Sequence, residues 1–341
     1  MATSVETFKQ ELLRDLLKQV SRLFYTTLVV VPADVRDQVS LAYLFARAAD
    51  TIADTELIDR PRRLDLLGQL KAQFVNDQLI WTQIQEIQQA VAPIQQDSAE
   101  RILLERLEDC FKLFQTFSPD DRRRIQRLMS TLTQGMEMDL VVFHGTTAED
   151  LTVLKTLDDL DRYTYYVAGC VGEFWTDLMC AHRTALASWK VQEMSEVGVR
   201  FGKGLQLTNI VKDIAHDLQR GRCYVPAPML AEAGLTGRDL LDQRNRARFQ
   251  PVLNKLVRMA VEHLDQGWLY AMAVPRYETR LRLSCMWPIL SAGESLKLVM
   301  NSPDLLNPAV KVKIPRSQVY QIMALTTGTF AQVACRFTHV N

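Results

Sequence analysis

The sequence predicts an all-α chain, and three observations carry that reading. Glycine and proline are scarce, 14 and 12 among 341 residues, whereas turn-rich β architectures use many of both. No proline stands between Pro119 and Pro226. Across that interval apolar residues recur at helical spacing, as in Leu128, Leu132, Met136 and Leu140, the period that lays one face of a helix on a core. No segment of useful length alternates apolar and polar residues, and no repeat or composition shift marks a boundary. The expectation is a single all-α domain over residues 1–341, with about ten or more helices able to enclose a cavity between them.

Residues 5–29 and 33–54 read as helices separated by Pro32, with Ala33 and Asp34 opening the second. Residues 61–75 and 98–117 read as amphipathic helices, and the Gln-rich stretch 76–97 as a helix joined to a loop. Several consecutive long helices fill most of the proline-free interval. Pro228, Gly234, Gly237 and many charges make 227–247 a surface excursion. Helical periodicity resumes at 251–272, 277–301 and 315–335.

Charge and cysteine usage exclude several classes of function. Lys plus Arg and Asp plus Glu both number 40, so no net basic field draws the chain to nucleic acid. Cys110, Cys170, Cys180, Cys223, Cys285 and Cys335 form no CxxC pair, which removes zinc ribbons and thioredoxin-like chemistry. Residues Met1 to Glu11 contain Glu6 and Glu11 and no apolar core, unlike a signal peptide. No stretch approaches the ~18–20 apolar residues of a membrane span. These features predict a cytoplasmic protein with reduced, mostly buried thiols, meeting a membrane only at its surface.

Two segments break the amphipathic rule in the same way. In the first, Tyr43, Arg47, Asp50 and Asp54 share one helical face while Leu41, Leu44, Phe45, Ala48, Ala49 and Ile52 fill the others. In the second, Gln206, Asn209, Asp213 and Asp217 form the stripe, and Leu205, Leu207, Ile210, Val211 and Ile214 surround it. Carboxylates one turn apart repel, and carboxylates among apolar residues are costly unless paired or metal-bound. For either pair alone a solvated helix face would suffice. Two pairs with matching polar companions point to a hard divalent cation, and Mg²⁺ takes one or two carboxylates and completes its shell with water and phosphate oxygens. Two such pairs are the protein half of a diphosphate site. Arg47 lies one turn before Asp50, Lys212 adjoins Asp213, and Arg220 and Arg222 follow the second pair; their donors suit phosphate oxygens.

A third constellation runs from Tyr163 through Val167 to Gly172. Gly169 and Gly172 each weaken a helix by about 1 kcal/mol relative to Ala, which predicts room for a neighbouring helix or a bulky ligand, close helix packing being the better explanation. Tyr163 and Val167, one turn apart, can line one cavity. His144, His182, His216, His263 and His339 show no metal-binding spacing, and there is no GxSxG, P-loop or GxGxxG.

At these residues the sequence resembles the squalene and phytoene synthase family of head-to-head prenyl transferases. The matching pieces are Ser21-Arg22-Leu-Phe24, the Tyr43–Asp54 segment, Gly135-Met136, the Tyr163–Gly172 segment and the Gln206–Arg222 segment, in family order. The resemblance implies the all-α class I isoprenoid synthase fold with a central cavity. Asp50, Asp54, Asp213 and Asp217 would be the Mg²⁺ ligands. Arg22, Phe24, Tyr43, Arg47, Val167, Gln206, Asn209, Lys212 and Arg222 would bind substrate. Tyr163, Arg47, Asp50 and Asp213 would be catalytic. The family's second motif carries Glu just before its last Asp; His216 stands there, which should only tune metal binding.

Cys285-Met-Trp-Pro288 and Val312-Lys313-Ile314-Pro315-Arg316-Ser317-Gln318 resemble squalene synthases more than phytoene synthases. Lys313 and Arg316 would contact NADPH, although Pro315 replaces a basic residue of that pattern. The eukaryotic membrane anchor is absent, which implies a bacterial-type enzyme of sterol or hopanoid synthesis, cytoplasmic and peripheral at the inner membrane face, with no obligate protein partner. The implied reaction joins two farnesyl diphosphates to presqualene diphosphate and reduces it to squalene with NADPH. Tyr163 would guide the proton loss that closes the cyclopropane. The alternatives are a dehydrosqualene- or phytoene-type synthase without the reduction, a hydroxysqualene-forming enzyme, and a non-catalytic helical scaffold, which would be expected to lose its acidic pairs.

Overall fold

A computed structural model describes residues 8–21, 25–76 and 78–337, with side chains as far as residue 327. The chain divides into two compact units, Met1–Leu140 with Asp177–His182, and Val141–Thr176 with Arg183–Asn341. Among the described residues the regular elements are helical apart from one two-residue parallel strand pair. None of the described helices is long and apolar enough to cross a membrane.

The first unit opens with a wide π-helical turn, Glu11–Leu16, running into α1 (Leu17–Ser21), then α2 (Tyr25–Val30) and α3 (Ala33–Asp54). Residues 8–21 and 25–29 of the helix expected over 5–29 are helical, and the rest of that span lies outside the described residues. Pro32 sets the start of α3 with an extended backbone, ψ 143°, as proline disfavours helix in the residue before it and is tolerated at a helix entry. Asp59 caps α4 (Arg60–Val75) by accepting from the Arg62 amide at 2.8 Å, with a proline in the first turn. Next come α5 (Trp81–Val91), α6 (Ser98–Glu105), α7 (Leu107–Gln115) and α8 (Pro119–Val142). The single helix expected over 98–117 is two, because Arg106 leaves helical geometry at φ −104°, ψ 17°.

The core of this unit is aromatic. The Phe45 ring on α3 lies 4.6 Å from Phe111, 5.0 Å from Phe74 and 5.8 Å from Phe114, mostly edge-on or tilted. Phe45 is fully buried, and burial of such a ring contributes roughly 2–3 kcal/mol. This packing fixes which face of α3 is inside and so which face carries its polar stripe.

In the second unit, β1 (Thr152–Val153) precedes α9 (Leu157–Thr164), which starts with a reciprocal capping box between Thr156 and Asp159, both bonds 3.0 Å. A π-helical turn, Tyr165–Gly169, leads into α10 (Cys170–His182), whose residues from Asp177 on belong to the first unit. The 29-residue α11 (Val191–Gln219) packs against α13 (Arg246–Ala273). β2 (Arg222–Cys223), α12 (Ala227–Ala231), α14 (Thr279–Asn301) and α15 (Arg316–Phe337) complete it. The 227–247 excursion is no loose surface loop. Leu230, Leu235 and Leu240 are buried in the core of the unit.

Close helix contact explains three glycines of this unit. A Cβ on Gly172 would strike the Gly198 carbonyl, and one on Gly202 would strike the Ala168 carbonyl. The segment carrying Tyr163 and Val167 thereby lies directly on α11. Gly204 plays the same part toward α13, where a Cβ would come within 3.0 Å of His263 and Leu264.

Candidate active site

Within the first unit, the Leu41–Asp54 part of α3 has Tyr43, Ala46, Arg47, Asp50 and Asp54 as its accessible positions, while its other residues are buried. The stripe read from the spacing is therefore the solvent-facing stripe of an otherwise buried helix. Its carboxylates are not in an apolar interior, which corrects the expectation that they need a cation to be tolerated at all. The Asp50 side chain is 45% exposed, and Asp54 is exposed. Arg47 Nη1 donates to Asp50 Oδ2 at 2.7 Å, and its Nη2 donates to Glu100. Burial of the guanidinium opposes its charge, but Asp50 and Glu100 together outweigh that and raise its pKa. The region is thus an accessible oxygen-donor pair with one fixed cation beside it.

Within the second unit, α11 repeats the arrangement on a different support. Gln206 and Asp217 are half-buried, and Asn209 and Asp213 are exposed. Lys212 Nζ donates to Asn209 Oδ1 at 3.0 Å and lies 3.3 Å from Asp213. The helix ends at Gln219, and Gly221 turns the chain at φ +73°, where a Cβ would also meet the Thr147 carbonyl at 2.8 Å; both conditions require glycine. Arg222 then pairs with Thr152 in the parallel bridge, with Thr152 N donating to Gly221 O at 3.0 Å. The backbone of Arg222 is therefore anchored immediately after the acidic pair. His216 is exposed on α11 beside Asp217.

Tyr163, near the end of α9, is half-buried and stacks on Tyr224 with ring centroids 4.7 Å apart. Its hydroxyl donates to the Tyr224 hydroxyl at 3.3 Å. Phe143 also packs on Tyr224, edge-on with ring centroids 4.9 Å apart. Val167 lies in the π-helical turn, a distortion common at functional sites. Tyr165 in the same turn is bonded to Glu173, and burial together with that carboxylate pushes its phenol up to about 12. Lys313 lies in the irregular segment before α15, and Arg316 is the first residue of that helix; both are exposed. Arg22 and Phe24 lie outside the described residues.

Two partners have no counterpart in the sequence reading. Tyr224 follows directly on the Arg220–Cys223 segment, so its nearness to the second pair was readable, but its stacking on Tyr163 was not. Glu100 is 53 residues from Arg47, and no local pattern marks it.

The donor chemistry suits Mg²⁺. Each pair offers two accessible carboxylates and a neighbouring cation, and among the described residues no group of three or more His, Cys, Asp or Glu side chains is assembled for a metal. Two carboxylates per helix is the small protein contribution that Mg²⁺ accepts when water and phosphate oxygens supply the rest. At the other candidate site, Lys313 and Arg316 fit the negative charge of a nucleotide phosphate.

Comparison with known proteins shows the family. The family described as squalene/phytoene synthase matches residues 17–318. The chain is 27% identical over 299 residues to squalene synthase ERG9 of Saccharomyces cerevisiae, covering 88% of this chain and 63% of that one, so it spans less than two thirds of that relative. It is 29% identical over 240 residues to 15-cis-phytoene synthase of Enterobacter agglomerans, covering 70% of each. A crystal structure of a dehydrosqualene synthase with a bound ligand superposes with a TM-score of 0.65 at 18% identity, covering 97% of this chain and 99% of that one. The fold is the all-α isoprenoid synthase fold, and the chain belongs to the squalene/phytoene synthase family.

Proposed function

We propose that this chain is a squalene synthase that condenses two farnesyl diphosphates head to head and reduces the product with NADPH, residues 1–341 acting as one catalytic domain. The observation that carries the reading is the pair of accessible aspartate stripes, Asp50/Asp54 and Asp213/Asp217, each with a basic side chain on its first carboxylate. Asp50 and Asp54 on α3, and Asp213 and Asp217 on α11, would each serve as Mg²⁺ ligands, and Mg²⁺ would supply Lewis-acid stabilisation of a departing diphosphate. Arg47, Lys212 and Arg222 donate charge-assisted hydrogen bonds to diphosphate oxygens. Gln206 and Asn209 orient the same group, and Tyr43 and Val167 line the path of the prenyl chain, with Arg22 and Phe24 as further substrate contacts. An apolar lining keeps water from the allylic cation. Tyr163, held by Tyr224, orients the carbon that loses its proton. A phenol of pKa ~10 is a weak base, so the departing diphosphate accepts that proton. Lys313 and Arg316 would hold the phosphates of NADPH, which would supply a hydride for the reduction. The apolar product favours peripheral association with a membrane surface.

A second reading is a dehydrosqualene- or phytoene-type synthase that omits the reduction. It is favoured by the phytoene synthase relative, whose 29% identity is no lower than the 27% of the squalene synthase. Incubation of purified protein with farnesyl diphosphate and Mg²⁺, with and without NADPH, separates the two. Squalene formed only with NADPH supports the first reading. The same C30 hydrocarbon under both conditions supports the second. An alcohol formed by water capture identifies a hydroxysqualene-forming enzyme.

A further inference from the structure

Glu100 belongs to none of the acidic or basic motifs, yet it holds Arg47. Its carboxylate accepts from Arg47 Nη2 while Arg47 Nη1 donates to Asp50 at 2.7 Å. Exposure rises along this chain of contacts, with side chains 16% exposed at Glu100, 26% at Arg47 and 45% at Asp50. The guanidinium is therefore anchored on its inner arm and presented on its outer one. The backbone of Glu100 is itself fixed. It is the third residue of α6, whose cap Asp97 accepts from the amides of Ala99 at 2.9 Å and Glu100 at 3.4 Å. In a capping-box sequence a Glu at this position commonly folds back on the cap; here it reaches α3 instead.

We propose that Glu100 is the positioning residue for Arg47. It locks one arm of the guanidinium, so that the other arm balances Asp50 in the resting protein and turns to a diphosphate oxygen when substrate and metal engage that aspartate. A long side chain loses rotamer freedom on binding, and one already held by a planar two-arm contact loses less. The inference rests on the diphosphate-binding reading above.

Calorimetric titration with inorganic pyrophosphate in the presence of Mg²⁺ tests it without turnover. Glu100→Gln should weaken binding by about tenfold. Arg47→Gln should weaken it more, and the double variant should be no worse than Arg47→Gln alone, because Glu100 acts only through Arg47. Glu100→Asp should recover part of the loss. Glu137→Gln, which removes a comparably exposed ion pair with Lys71 at 2.8 Å in the same unit, should leave affinity unchanged. Thermal midpoints identify any variant that fails to fold, and Glu100→Asp carries the test if Glu100→Gln does. Unaltered affinity in Glu100→Gln, or losses from Glu100→Gln and Arg47→Gln that simply add, would overturn the proposal. A natural chain that binds no pyrophosphate with Mg²⁺ would instead remove the diphosphate reading, and this inference with it.

Discussion

The helices α3 and α11 carry the same acidic spacing on opposite kinds of support. α3 is located by side-chain volume: Phe45 meets the rings of Phe74, Phe111 and Phe114, and the aspartate stripe is the face left over. α11 is located by missing volume: Gly198 and Gly202 let the backbone of the Tyr163 segment touch it, and Gly204 admits α13. Their charge balance differs too. Arg47 reaches Asp50 with its other arm tied to Glu100 on another helix, whereas Lys212 contacts Asp213 and Asn209 on its own helix. An acidic motif thus specifies donors and their spacing, and leaves open how the helix beneath is held.

The largest expected effect tests whether the two helices share one task. Asp50→Asn and Asp213→Asn should each lower turnover by about a thousandfold or more, the loss of one strong electrostatic contact to a transition state, with thermal midpoints near that of the natural chain. A large loss in one and none in the other would break the equivalence. Next are the supports themselves. Phe45→Ala should cost about 4 kcal/mol of stability in denaturant unfolding, through a cavity among the rings. Gly202→Ala should cost about 3 kcal/mol, through overlap with the Ala168 carbonyl rather than a void. A methyl accepted at 202 without loss would remove the contrast between filled and emptied packing.

The smallest effect concerns the anchoring of the early part of α3. Asp121 is buried, and burial would raise its carboxyl, but hydrogen bonds from His182 at 2.8 Å and Gln38 of α3 at 3.1 Å hold it below the usual range. A depressed carboxyl stabilises the fold above its unfolded value of ~4, and that contribution is lost as pH falls through the folded value. Asp121→Asn should therefore cost about 2 kcal/mol at pH 7, and its difference from the natural chain should shrink below pH 4. A difference constant from pH 7 to pH 3 would show that the carboxylate charge contributes nothing there.

The sequence by itself determined what depends on neighbours along the chain. Proline at 32 marks the start of a helix, and spacings of three and four put Tyr43, Arg47, Asp50 and Asp54 on one face. The family order of motifs was legible for the same reason, since each motif is a short run of neighbouring residues. Only the tertiary structure decided what depends on distant partners. It split the helix expected over 98–117 at Arg106, pulled Leu230, Leu235 and Leu240 into a core, and joined 152–153 to 222–223 as parallel strands. It also showed both carboxylate pairs to be accessible, brought Glu100 to Arg47 across 53 residues and set Tyr224 against Tyr163 across 61. Helical periodicity arises from backbone bonds four residues apart and leaves a clear pattern. A contact between remote side chains is selected by the packing of everything between them, and no local spacing carries its signature.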